Sequence, residues 1–246
     1  MENLTNGKKI GLLQGAIVLF SGGQDSTTAL YWAKQYYEPI LALFVNYGQR
    51  HGVERQQSAL IAKIAGVDWE ELQIDYFQKL GGNALVNSNI EIKQETEKGI
   101  PNTFVPGRNL LFLNYAAIYA YHLGINNIIT GFCQADYSGY PDCRQQFVEA
   151  AEKALSLGMD YPFRIITPIM NLTKAQTWLL ARELGCLEVI IKHSHTCYEG
   201  RRQEFAWGAG CGNCPACLLR KKGFEEAILI NKDFQQDCNA LRAKEL

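Results

Sequence analysis

Apolar positions along this chain follow two rhythms. Ala16-Ile17-Val18-Leu19-Phe20 and residues 40–47 are short unbroken runs with the length of buried strands. Between them, Ala29, Leu30, Ala33 and Tyr37 recur at three- and four-residue steps, which predicts a helix over 26–37. A second helix is predicted over Val53–Ala65, stopped by Gly66, and a third strand over 70–75. Residues 76–107 hold several Gly, Asn and Pro and little periodicity, so they read as a long loop that could serve as a lid. A helix over 109–123 follows, with Gly124 as its stop, then a strand over 127–131. Next come a helix over 142–158 and a strand over 164–167. Thr173-Lys174-Ala175-Gln176 has the capping-box pattern and opens a helix ended by Gly185. From about His193 the rhythm stops; Cys, Gly and Arg become dense, and a final helix is expected near Leu218.

Strands alternating with helices predict an α/β fold, doubly wound around a mainly parallel sheet. Three regions are expected: an N-terminal extension over 1–15, an α/β nucleotide-binding domain over 16–192, and a C-terminal segment over 193–246.

Composition narrows the classes. The chain has 246 residues, 47% of them hydrophobic, enough for a sizeable core. With 24 basic and 25 acidic residues the net charge is −1, which argues against nucleic-acid binding driven by bulk charge. No apolar stretch approaches the roughly 20 residues of a membrane span. Residues 10–20 follow Lys8-Lys9 as a signal peptide would, but Gly11, Gln14 and Gly15 interrupt them and no cleavage site follows. A cytoplasmic protein is expected, so the eight cysteines read as metal ligands or buried thiols before disulfides.

Ser21-Gly22-Gly23-Gln24-Asp25-Ser26 joins the first strand to the first helix. Free backbone N–H groups and the positive end of a helix dipole face an anion at such a turn. The glycines let the backbone approach closely, and Ser21, Ser26 and Thr27 add hydroxyls. A carboxylate, Asp25, fits an anion site when Mg2+ lies between it and phosphates. The Gly-Lys-Ser/Thr of a Walker loop is absent. The pattern points to a nucleotide whose pyrophosphate is held and released.

Other turns belong to the same rim, because ligands of doubly wound sheets sit beyond the carboxyl ends of the strands. Arg50 and His51 follow the second strand and read as an anion clamp or a solvated turn. Arg108 stands at a helix start, where a cation is unfavourable unless an anion sits beside it. Tyr140, Asp142 and Arg144 share one turn that suits a planar heterocycle, although Asp142 equally fits a helix N-cap. Lys174 reads as a phosphate contact or a solvated lysine.

Cys197 and Cys211-Gly212-Asn213-Cys214-Pro215-Ala216-Cys217 offer four thiolates, the complement of a closed, structural Zn2+ site. His193 and His195 are spare ligands, while Cys133, Cys143, Cys186 and Cys238 lack the spacing and read as ordinary thiols.

Taken in order, SGGQDSTT (21–28), YGQRH (47–51), FVPGRN (104–109), DYSGYPDCR (136–144), TPIMNLTKA (167–175), TCY (196–198) and CGNCPAC (211–217) resemble the 7-cyano-7-deazaguanine synthase family of the PP-loop ATP pyrophosphatases. The likeness runs from about residue 16 to 230; the stretch from Tyr198 to Cys211 is longer than the family pattern. The resemblance implies an adenine-nucleotide α-hydrolase-like fold with a small zinc-binding C-terminal segment. It implies synthesis of a nitrile, a queuosine precursor, from 7-carboxy-7-deazaguanine, ammonia and two ATP, through an adenylated acid and an adenylated amide. By the same resemblance ATP lies along Phe20, Ser21, Gly22, Gly23, Gln24, Asp25, Ser26, Thr27, Thr28, Ala29 and Leu30, with Arg50 nearby and Mg2+ on Asp25. Asp25, Arg108 and Lys174 become the candidates for charge stabilisation, and Tyr140, Asp142 and Arg144 those for the deazaguanine. A homodimer is implied, with no nucleic-acid or membrane partner. Two other readings stay open: a PP-loop tRNA thiolase, and a zinc-containing nucleic-acid-binding regulator that would use Arg201-Arg202 and Arg220-Lys221-Lys222.

Overall fold

The computed structural model describes residues 15–49, 51–74, 84–85, 90–92, 101–135 and 139–243. Arg50, most of the 1–15 extension and much of the predicted 76–107 loop lie outside these residues. Five parallel strands form the central sheet: β1 (Ala16–Leu19), β2 (Ile40–Asn46), β3 (Asp68–Gln73), β4 (Asn127–Thr130) and β5 (Arg164–Ile166). Their spatial order is β3-β2-β1-β4-β5. The chain winds outward from β1 in one direction and restarts at β4 in the other. The crevice beyond β1 and β4 is therefore the topological switch point, where such folds bind ligands.

Strand periodicity decides the two faces. Ile17 and Leu19 point into one cluster with Leu113, Ala116 and Ala120 of α3 (Arg108–Leu123) and Val148 and Ala151 of α4 (Gln145–Met159). Ala16, Val18 and Phe20 point the other way, onto Ala29, Leu30 and Ala33 of α1 (Gln24–Ala33) and Ile61, Ala62 and Ala65 of α2 (Val53–Ala65). Both faces of β1 are covered, which is why its sequence reads as an unbroken apolar run.

A third cluster joins Ala175, Trp178 and Ala181 of α5 (Lys174–Glu183) and Ile190 of α6 (Leu187–His193) to the cysteine segment. That segment contributes a hairpin of β6 (Gln203–Phe205) and β7 (Gly208–Gly210), then α7 (Pro215–Ile230) and α8 (Lys232–Ala243). Phe224 and Phe234 pack edge-on against each other and against Trp178. Among the described residues no helix is long and apolar enough to cross a membrane.

Several predicted bounds hold. α2 spans Val53–Ala65 with Gly66 left-handed at its C-cap, and Thr173 accepts from the Gln176 backbone N–H in a complete capping box. Others shift. β3 begins at Asp68 and ends at Gln73, because the edge strand is half exposed and its DWEELQ sequence alternates without an apolar run. The helix predicted to start at Asp142 starts at Gln145 instead, after a 3-10 turn over Pro141–Cys143. α1 ends at Ala33 rather than Tyr37, and the C-terminal helix starts at Pro215 rather than Leu218.

One glycine fixes the crevice. Gly131 follows β4, and a Cβ there would sit 2.8 Å from the Asp25 carbonyl carbon and the Ser26 nitrogen. The absent side chain lets β4 end against the start of α1. Gly131→Ala is expected to cost about 1–3 kcal/mol by overpacking and to push the loop out of place. The check is a lower melting temperature with an ATP Kd raised about tenfold, measured by calorimetry.

Candidate active site

The loop after β1 is pinned from two sides. Gly22 has φ +76°, and a Cβ on it would meet the Ser58 backbone of α2 at 2.8 Å. The Gly22 carbonyl accepts from the His195 backbone N–H at 3.0 Å. Only glycine satisfies both the left-handed backbone and the close approach. Within the loop, Ser26 Oγ donates to the Gly23 carbonyl at 3.2 Å, and Gly23 N–H donates to Ser21 Oγ at 3.3 Å. Gly23 is the N-cap of α1, and no side chain caps the first turn, so its N–H groups face the crevice unclaimed. Gln24 is 2% exposed, lines the cavity and has neither amide atom hydrogen-bonded; the buried Thr27 hydroxyl is likewise unpartnered. Buried polar atoms without partners are costly and mark where a polar ligand belongs. Thr27, Thr28, Ala29 and Leu30 do not line this wall: Thr27 is fully buried, the Thr28 hydroxyl donates to the Gln24 carbonyl, and Ala29 and Leu30 join the core beneath β1.

Asp25 and Lys174 meet across 149 positions of sequence. Lys174 Nζ donates to both carboxylate oxygens, at 2.8 and 2.9 Å. Lys174 is buried and Asp25 about one-third exposed, with side-chain exposures of 9% and 33%. The backstop of the lysine is Gly223 on α7, where a Cβ would lie 2.4 Å from Lys174 Cγ.

A cavity of about 330 Å³ runs from this pair toward the end of β2. Its far wall is aromatic and cationic. The Arg108 guanidinium lies 5.5 Å from the Tyr47 ring centre and 5.9 Å from those of Phe112 and Tyr140. It donates to Tyr47 Oη at 3.4 Å and Asn109 Oδ1 at 3.3 Å. Among the described residues no carboxylate is within ion-pair distance of it. Burial opposes its charge, but Tyr47, Tyr140 and Asp142 outweigh that and hold its pKa above the usual range. Burial also pushes the Tyr47 phenol up to about 12. Tyr140 donates its hydroxyl to Thr103 Oγ1 at 2.7 Å, leaving its ring on the cavity wall.

Asp142 is not a helix cap. The N-cap of α4 is Arg144, with no side-chain bond, and Asp142 lies in the preceding turn, 7% exposed. Neither carboxylate oxygen has a hydrogen-bond partner. Burial raises its pKa, while the Arg108 charge and the nearby backbone N–H groups of Asn109 and Asp142 lower it. Asp142 itself lies behind the cavity wall, which its neighbours Tyr140 and Cys143 line. Arg144 departs from expectation: its side chain is exposed and off the cavity wall.

Cys197, Cys211, Cys214 and Cys217 bring their sulfurs within 4.8 Å of one another. The Cys211–Cys217 separation is 3.8 Å, matching the edge of a tetrahedron built on Zn–S bonds of about 2.3 Å. Four thiolates and no further ligand fit a closed zinc site. The Cys214 backbone N–H donates to Cys211 Sγ at 3.2 Å. Neither His193 nor His195 joins the sulfurs. Cys143 and Cys186 behave as buried thiols, pushed up to about 12 chiefly by burial. The long 198–211 stretch forms the β6–β7 hairpin, whose Phe205 and Trp207 stack at 4.7 Å and 5°. A Cβ on Gly210 would lie 2.6 Å from Cys217 Sγ, so the hairpin lies directly on the cysteine cluster.

This cluster is also part of the cavity wall, through Cys197, Ala216 and Arg220. Arg220 is 1% exposed and donates to the carbonyls of Trp207 and Ile190 and to Thr196 Oγ1, each at 2.9 Å. Burial lowers its pKa to about 10. Lys221 and Lys222 pair with Glu225 and Glu226 at 3.8 Å. Within 220–222 the arginine is thus buried, and the two lysines are the exposed cations. His51 and Glu54 complete the wall on the β2 side. His51 packs against Gly200, and its buried Nε2 has no partner. Glu54 is half-buried in the first turn of α2; burial pushes its pKa up to about 7. Sequence reading missed Glu54, Tyr198 and Arg220 as wall residues; the only signal for Glu54 was its place one helical turn after His51.

The family model described as "Queuosine biosynthesis protein QueC" matches residues 15–228. The chain is 47% identical to a 7-cyano-7-deazaguanine synthase of Clostridium acetobutylicum over 212 residues, 86% of this chain and 93% of that one. It is 46% identical to proteins of the same description from Phocaeicola vulgatus and Lysinibacillus sphaericus, each over 219 residues, 89% of this chain and 96% and 98% of theirs. With a glycine loop at the switch point, a four-cysteine cluster beside it and this likeness along nearly its whole length, the chain belongs to the family of the queuosine biosynthesis protein QueC.

Proposed function

We infer that the chain converts 7-carboxy-7-deazaguanine to 7-cyano-7-deazaguanine, using ATP and ammonia and releasing AMP and diphosphate, as a ligase forming C–N bonds. The observation that carries this reading is one cavity that joins the glycine loop and the Asp25–Lys174 pair to the Arg108–Tyr140 wall. A nucleotide phosphate and a planar carboxylate substrate would meet there.

The chemistry follows from the parts. Ammonia cannot displace oxide from a carboxylate, so the acid must first gain a leaving group. Its oxygen attacks the α-phosphate of ATP, diphosphate departs, and ammonia displaces AMP from the resulting acyl adenylate. A second adenylation, on the amide oxygen, precedes loss of AMP to the nitrile. Negative charge grows on the departing diphosphate in both activations. The uncapped N–H groups of α1 and the Lys174 ammonium stabilise charge that develops there. Arg108 faces the substrate carboxylate, and among the described residues no carboxylate is within ion-pair distance of it. The Tyr140 ring supports the heterocycle, and Asp142 accepts its N–H groups.

Asp25 keeps lone pairs beyond the two bonds to Lys174 and is partly exposed, which suits a Mg2+ that retains waters and phosphate oxygens. Bound there, the ion would neutralise the leaving diphosphate. The zinc ion would be structural, since its four sulfurs leave no open position. A cytoplasmic homodimer is the setting proposed for this activity, one in which clustered cysteines serve as metal ligands rather than disulfides.

Mass spectrometry of the products from carboxy-deazaguanine, ATP and ammonium tests the reading. The nitrile and AMP are expected; sulfur transfer to tRNA in their place would favour the thiolase. Asp142→Asn is expected to raise KM for the deazaguanine about tenfold or more, the effect of one mismatched buried hydrogen-bonding group, with KM for ATP unchanged. Steady-state kinetics in both substrates checks it.

A further inference from the structure

Ammonia reaches an enzyme at neutral pH mostly as ammonium, which has no lone pair to attack with. A site that uses it must hold a cation and remove a proton. Two carboxylates lie on the described cavity wall, Asp25 and Glu54. Asp25 is committed to Lys174 through both oxygens. Glu54 accepts one long bond, 3.5 Å from Gln49 Nε2, and has no cationic partner among the described residues. Gln49 is itself oriented by the Tyr47 backbone N–H, which donates to its Oε1 at 3.0 Å. Glu54 is thus a held, half-buried, unpaired carboxylate on the same wall as Arg108.

We propose that Glu54 binds ammonium on the cavity wall, takes its proton, and releases ammonia to the adenylated carboxylate. The inference rests on the reading of the reaction given above. The other candidate bases are poorer. The His195 ring is spoken for at Nε2 by the Cys197 carbonyl and lies near Arg202 and Arg220, which repel a cation. His51, packed on Gly200, is an imidazole and carries no negative charge to attract one. Arg108 opposes ammonium only until the substrate carboxylate and α-phosphate neutralise it, which orders ammonium after adenylation.

The step balances. The Glu54 carboxylate takes one proton from NH4+, and the freed lone pair forms the C–N bond at the acyl carbon. The C–O bond to phosphate breaks and its electron pair leaves with AMP. The nitrogen sheds a second proton to become the amide, and both protons pass to bulk water. A carboxylate whose pKa is raised toward the working pH is suited to such a transfer.

The test separates ammonium from hydroxylamine, a nucleophile already neutral at pH 7. With Glu54→Gln, kcat/KM for ammonium is expected to fall about a hundredfold or more, the usual share of a positioned base. Diphosphate release from ATP with the carboxylate substrate stays at the wild-type rate. Hydroxamate formation from hydroxylamine stays within about threefold of wild type, well short of a lost base. Glu54→Asp, which keeps the carboxylate, recovers part of the ammonium rate. Equal losses with ammonium and hydroxylamine would make Glu54 a mere support for Gln49 and overturn the proposal, as would unchanged use of ammonium. A wild-type protein that releases no diphosphate with the carboxylate would instead sink the reaction reading itself.

Discussion

Asp25→Ala is expected to lower nitrile formation by at least about a hundredfold, the scale of losing one preorganised electrostatic group at a reacting centre. The loss has two parts. The carboxylate that would hold the metal beside the diphosphate disappears. Lys174, buried against Gly223, also loses the partner that fixes Nζ at 2.8–2.9 Å and is free to swing from its position. The fold should survive, because Asp25 is one-third exposed and the cavity lets water reach the ammonium. Asp25→Asn separates the parts: it keeps the shape and one acceptor for Lys174 but not the charge. Single-turnover diphosphate release, with circular dichroism as the control for folding, checks both variants. Turnover near the wild-type rate in Asp25→Ala would remove the residue from the chemistry.

The second large effect concerns the metal. Cys214→Ser should lose zinc and stability together. Structural zinc contributes on the order of 10 kcal/mol to folding in small peptides. Here the Trp178–Phe224–Phe234 cluster remains, so part of that sum, about 5 kcal/mol, is the expected loss; at ~2–4 °C per kcal/mol for a chain this size, the melting temperature falls by about 10–20 °C. The damage should reach the nucleotide as well. His195, two residues before the ligand Cys197, clasps the Gly22 carbonyl. Metal analysis, melting and ATP titration on one sample check the prediction. A variant that keeps one zinc per chain and melts normally would show that the ligand set is wrong.

Local chemistry was legible in the chain; distant partnerships were not. The β1 run, the glycine loop and the uncapped start of α1 could be read directly, because a buried parallel strand and an anion turn each have a short signature. The Thr173 capping box and the Gly66 stop were equally plain. The cysteine spacing announced four converging sulfurs. It gave no hint of the hairpin that covers them, since QEF and GAG are too short to carry a period. α6 was also missed, at seven residues too brief to show a helical stripe. The Asp25–Lys174 bond spans 149 positions and leaves no local trace, so Lys174 read by default as a solvated lysine. Asp142 looked like a cap because the sequence cannot show that the helix starts three residues later. Arg144 was carried along by its neighbours in the motif, and the turn directs it outward to solvent.

The register of α7 has a consequence for how this chain can vary. At three-residue steps the N-cap and the helix deliver Cys214 and Cys217 to the cysteine cluster, Arg220 to the cavity and Gly223 to Lys174. Each added residue turns an α-helix by about 100°. An insertion or deletion of one position between Cys217 and Gly223 would leave the sulfurs in place and swing a side-chain-bearing face onto the lysine. Length changes should therefore accumulate in the hairpin over 203–210 and beyond Ile230, while the seven positions from Cys217 to Gly223 stay fixed in number even where their residues drift.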